Sequence, residues 1–98
     1  MTLEEFKNSL TQSTAPDGLP SLLKALWHDA RGDWERAHHI AQDIESKDAA
    51  WVHAYLHRKE GDISNAGYWY RKAAREIVTD ALEDEWEEIV SALLEAID

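Results

Sequence analysis

The sequence predicts an all-α domain of about six helices, and three observations predict it. Apolar residues recur at spacings of three and four along most of the chain. Gly and Pro residues interrupt that pattern at short intervals. No segment sustains the strict alternation of a strand, and β-branched residues are not enriched. At 98 residues the chain is expected to be one domain with one modest core. Its five Trp residues are the side chains best able to fill a core of that size.

The first helix is predicted from about Leu3 to Ser13, where Thr2 and Glu5 form a capping box. Thr14 to Gly18 contains Pro16 and Gly18 and reads as a loop. Pro20 suits the first turn of helix two, whose apolar positions are Leu19, Leu22, Leu23, Leu26, Trp27 and Ala30, and Gly32 ends it. Asp33 caps helix three, with Trp34, Ala37, Ile40, Ala41 and Ile44 on its apolar face. Helix four is expected from Asp48 to Glu60, stopped by Gly61. Asp62 caps helix five, with an inner stripe of Ile63, Ala66, Tyr70, Ala73 and Ile77. Thr79 and Asp80 are expected to open the last helix, with Glu83 as the capping-box partner of Asp80. Its stripe is Leu82, Trp86, Ile89, Val90, Leu93 and Ile97. The short gaps between helices imply antiparallel neighbours.

Composition excludes several classes of chemistry. The chain has no cysteine, which removes disulfides, thiolate metal sites and cysteine nucleophiles. A formal charge of −10 repels phosphate, so neither nucleic acid nor an anionic membrane is an expected partner. The segment MTLEEFKNSL does not read as a signal peptide, and no apolar run approaches the roughly 20 residues that span a bilayer. A cytoplasmic protein is the expectation. No phosphate loop, nucleophile elbow, His-Glu-x-x-His or calcium loop is present, so neither an enzyme nor a bound cofactor is expected. Charge is uneven along the chain. Ile77 to Asp98 carries eight acids and no Lys or Arg, whereas Ala54 to Arg75 carries five bases against two acids. The acidic last helix is expected to pack beside this basic stretch.

The middle of the chain repeats itself at an offset of 29 residues: Ala25 with Ala54, His28 with His57, Gly32 with Gly61, Asp33 with Asp62, and Ala37 with Ala66. The Gly–Asp pair stops one helix and caps the next, and the alanines let the two axes approach closely. With Tyr70, Lys72 and Ala73 in place as well, the second unit resembles the tetratricopeptide and Sel1-like helical repeats. The segment from Trp51 to Arg75 also looks like a group of short bacterial proteins with no assigned function. The period is shorter than in those families, the first unit keeps only the skeleton, and the Pro that often closes a tetratricopeptide unit is missing. The resemblance implies hairpins over about 22–45 and 49–76, flanked by capping helices over about 3–13 and 81–97. It also implies a non-catalytic protein-interaction scaffold, with the first helix of each hairpin lining a concave surface.

On that resemblance Trp51, Tyr55, Arg58 and Lys59 would face the binding surface and take an acidic or C-terminal peptide. Arg58→Glu would then abolish capture and leave helicity and melting temperature nearly unchanged. The competing reading puts Trp51 and Tyr55 in the core, with the last helix lying over them. A second candidate is the outer face of helix five, where Tyr68, Arg71, Lys72 and Arg75 could receive an anionic partner or form an ordinary solvated face.

The histidines offer a metal alternative. His53 and His57 lie four apart on one helix face, a usable two-ligand spacing, with Glu60 three residues further on. The third ligand must come from elsewhere, and His28, the repeat equivalent of His57, is the candidate. The competing reading gives His28 and His57 a packing role between helices. His38 and His39 point about 100° apart and form no site with each other. A homodimer that closes an incomplete repeat array is the third option.

Overall fold

A computed structural model describes residues 1–97 and shows an all-α fold of six helices with no strand among them. They are α1 (Leu3–Ser9), α2 (Ser21–Ala30), α3 (Trp34–Gln42), α4 (Lys47–Lys59), α5 (Ile63–Lys72) and α6 (Leu82–Ala96). Asp98, the last of the eight acids, lies outside the described residues. Among the described residues no helix is long and apolar enough to cross a membrane.

Helices α2 and α3 pack as one hairpin and α4 and α5 as another, with α3 against α4. Helix α6 lies across α1, α2 and α4. The two hairpin turns are closed by the same pair of backbone hydrogen bonds. The Asp33 amide donates to the His28 carbonyl and the Gly32 amide to that of Asp29, and Asp62–His57 and Gly61–Arg58 repeat the pattern. The glycines carry φ values of 86° and 90°, the left-handed conformation this helix stop demands. Asp33 and Asp62 then accept the amides of Arg36 and Asn65 and cap the following helices. Ala25, Ala54, Ala37 and Ala66 are all buried, as close-packed hairpins need.

The interior is built on Phe6, Leu23, Leu26, Trp27, Trp51, Val52, Leu56, Tyr70, Ile89 and Val90. Each large apolar side chain buried here contributes about 1.5–3 kcal/mol. Four of the five indoles also donate a hydrogen bond across a junction between elements. Trp27 reaches Ser9 Oγ (3.2 Å), Trp34 the Leu56 carbonyl (2.7 Å), Trp51 the Glu85 carboxylate (3.1 Å) and Trp86 the Leu26 carbonyl (3.1 Å). Burial of the rings is thereby tied to specific helix positions.

The helix ends depart from the sequence expectation in four places. Helix α1 stops at Ser9 rather than Ser13, and the Arg31 guanidinium takes the Leu10 and Gln12 carbonyls at 2.6 and 2.5 Å. Helix α4 begins at Lys47, because Ser46 provides the cap by accepting the Ala49 amide. Helix α6 starts after Ala81 with no side-chain cap, and the Asp80 carbonyl accepts from Arg58 instead. Helix α5 ends at Lys72, and Ala74 adopts φ 59°. Ile77 therefore falls off the α5 stripe and is exposed, as is Ile63 at the first turn.

Candidate metal centre

Helix α4 is the most deeply buried helix in the protein, with every residue from Ala49 to His57 buried. His53 and His57 therefore project from its one-turn spacing into packed surroundings rather than into solvent. Helix α3 brings a third imidazole to them. His38 lies four residues after Trp34, on the face that packs against α4, and its ring stacks on that indole at 4.8 Å. One ring nitrogen from each of His38, His53 and His57 lies within 4.8 Å of the others.

The contacts are close and directional. His53 Nε2 and His38 Nε2 lie 2.8 Å apart, a hydrogen bond whose donor is set by the tautomers of the two rings. The His53 ring is sandwiched, with the Trp69 indole of α5 at 3.8 Å on one side and the His57 ring at 4.9 Å on the other. His57 Nδ1 is held by Glu60 Oε1 at 2.6 Å. Burial disfavours the charged form of His53 and pushes it down to about 4, with His38 and His57 adding to the shift. Burial also lowers His38, reinforced by His57. His38 and His53 are therefore neutral at pH 7, and a neutral imidazole is the ligand form.

This donor set fits a borderline transition metal. Three imidazoles suit zinc, copper or nickel, whereas calcium and magnesium require oxygen donors. Zinc–nitrogen bonds of about 2.0–2.1 Å place tetrahedral donors roughly 3.3 Å apart. Loading requires the His38–His53 contact to open slightly and the stacked rings of His53 and His57 to fan about their side-chain torsions. Glu60 already supplies the outer support of such sites, since a carboxylate on Nδ1 orients Nε2 toward the ion. His57 also lies near Asp62 together with Glu60, but both acids are exposed and Asp62 is engaged as the α5 cap.

Of the metal candidates named from sequence, His53 and His57 come together and His28 does not join them. His28 stands edge-on to Trp27 at 5.1 Å, and burial and Arg36 lower its proton affinity. Equivalent positions in successive hairpins are displaced by one hairpin, so the repeat partner of His57 is carried away from it. The ligand that sequence reasoning missed, His38, had a local signal: it occupies an α3 position in register with Trp34 and Ala41, on the apolar face.

The expected peptide groove does not exist as an open surface. Trp51 and Tyr55 are each 2% exposed, and α6 fills the space over them. The four-residue surface is corrected accordingly: its two cations are engaged internally, Arg58 with Glu85 (2.9 Å) and Lys59 with Asp29 (2.9 Å). Glu85 is buried and satisfied by Trp51, Arg58 and the Tyr70 hydroxyl, which lies 2.7–2.8 Å from both oxygens. Burial and Glu85 raise Tyr70, which keeps it a neutral donor. On the outer face of α5, Tyr68 is 47% exposed and Arg71 and Lys72 are exposed. The chain matches no family model, no curated protein and no solved structure.

Proposed function

We propose that this protein binds a transition-metal ion, with zinc as the reference case, through His38, His53 and His57. The observation that supports this reading is the meeting of three imidazole nitrogens within 4.8 Å, drawn from two helices, with Glu60 bonded behind one of them. A metal there links α3 to α4, and so links the two hairpins to each other. Three protein donors leave a fourth position for water or an exchangeable ligand.

The test is calorimetric zinc titration of untagged protein stripped of metal, together with thermal unfolding. One equivalent is expected to bind. Stabilisation of about 2.7 kcal/mol follows when free zinc is a hundredfold above the dissociation constant. Substituting His38, His53 or His57 by Ala removes this response, and His28→Ala keeps it. Zinc that neither binds nor stabilises overturns the assignment, as does binding that survives loss of all three ligands.

A second reading, a non-catalytic interaction module of tetratricopeptide- or Sel1-like descent, is supported by the matched hairpin turns. Its surface moves to the outer face of α5, where Tyr68 is exposed and Arg71 has no ion-pair partner among the described residues. Its partner is an acidic protein segment. Arg71→Glu abolishes retention of that partner without lowering stability if this reading holds.

A further inference from the structure

A cavity of about 420 Å³ adjoins the histidine cluster, between the end of α3, the start of α4 and one side of α5. That volume suits a small organic molecule. Part of its lining is apolar, formed by Ala41, Ile44, Ala49 and Ala50 with the Trp69 ring beside them. The rest is polar and, on balance, cationic. Lys47 and Lys72 stand against a single acid, Glu45, and neither lysine forms an ion pair among the described residues. The Lys72 ammonium is held 5.1 Å from the Trp69 ring centroid, so a charge and an apolar surface are presented side by side. Ser46 and Lys47 also place the start of the 13-residue α4 at this cavity, where the helix dipole favours an anion.

His53 supplies the observation that points to a ligand. It is 5% exposed and lines the cavity, yet only one of its ring nitrogens is engaged. Nε2 is committed to His38, and Nδ1 has no hydrogen-bond partner among the described residues. Nδ1 is not sealed from solvent, so it stands open to a hydrogen-bonding group placed in the cavity.

We propose that this cavity binds a small organic monocarboxylate, whose oxygens are received by Lys47, Lys72 and the Nδ1–H of His53 and whose apolar body lies on Trp69 and the alanines. One net positive charge matches one carboxylate better than a doubly charged phosphate. The pocket stands on its own lining. Its coupling to metal rests on the proposed function: a metal on Nε2 forces the proton onto Nδ1, and ligand imidazoles characteristically donate that proton to an acceptor. Glu60 is the acceptor for His57, and the bound carboxylate is the acceptor for His53.

The experiment is a titration of metal-free, isotopically labelled protein with benzoate, followed through its amide and indole resonances, with benzamide and benzylamine in parallel. Benzoate is expected to shift the Trp69 indole N–H and the Ala49 and Ala50 amides in a saturable way. Benzamide binds about tenfold more weakly and benzylamine not at all, and K47E/K72E, whose substitutions are both on the surface, weakens benzoate about tenfold. Unmoved resonances, equal binding of benzylamine, or an unaffected lysine variant overturns the pocket. Repeating the titration with zinc is expected to tighten benzoate about fivefold. Zinc that binds without changing benzoate affinity overturns the coupling and leaves the metal site standing. Failure of zinc to bind overturns the metal site, and the metal-free titration still decides the pocket.

Discussion

Arg58 and Glu85 meet at 2.9 Å across 27 residues of sequence and join the end of α4 to the first turn of α6. The same guanidinium also donates to the Asp80 carbonyl just ahead of α6. Around Glu85, Trp51 and Tyr70 complete a buried carboxylate site of the kind a peptide-binding groove would offer to a partner. Here the protein's own last helix provides the carboxylate.

Breaking that site is expected to cost folding stability. Arg58→Glu places two carboxylates against each other and Glu85→Leu leaves three donors without an acceptor, so each should cost about 3–5 kcal/mol. This reverses the sequence expectation that Arg58→Glu would leave the melting temperature nearly unchanged. Urea denaturation of both variants checks it. The double variant Arg58→Met with Glu85→Leu is expected to recover a substantial part of the loss, because the unpaired charge is then gone.

Acid should weaken the metal-free protein through His53. Its proton affinity is depressed by burial to about 4, against about 6.5 for a free imidazole. A depressed value means that the unfolded chain takes up the proton first. The stabilisation is present above about pH 6.5 and is lost as pH falls towards 4, with a size of the order of 2 kcal/mol. Stability measured across that range with a chelator present tests the sign. In His53→Phe the slope should be visibly smaller.

The three matching helix stops predict opposite responses to the same pair of residues. Gly61 sits at φ 90° with nothing near the position of an added Cβ, so Gly61→Ala costs about 1 kcal/mol through backbone conformation alone. Ala74 occupies the equivalent place after α5 at φ 59°, with the Arg75 amide bonded to the Tyr70 carbonyl. Ala74→Gly should therefore stabilise by up to about 1 kcal/mol, a rise of several degrees in melting temperature for a domain this size. Thermal unfolding of the two variants side by side decides the point.

Removing the fifth indole should act differently from removing the other four. Trp69 makes no cross-junction hydrogen bond among the described residues and stacks on His53. Trp69→Leu is expected to raise the His53 proton affinity and cost less stability than Trp51→Leu, which also strips Glu85 of a donor. Imidazole titration by NMR and urea denaturation separate the two effects.

The sequence by itself determined the number of helices, the two Gly–Asp turns and the aspartate caps. Each depends on residues within one turn of each other, so local rules suffice. It also brought His53 and His57 to one face, since a spacing of four closes within a single helix. What only the tertiary structure decided is which surfaces are left open and which side chains meet across helices. The packing of α6 over Trp51 and Tyr55 turned an expected groove into core, because its apolar stripe and Glu85 match that surface in shape and charge. The choice of His38 over His28 as third imidazole follows from α3 lying against α4. Repeat symmetry relates residues in equivalent environments, whereas a site is made by residues in complementary ones.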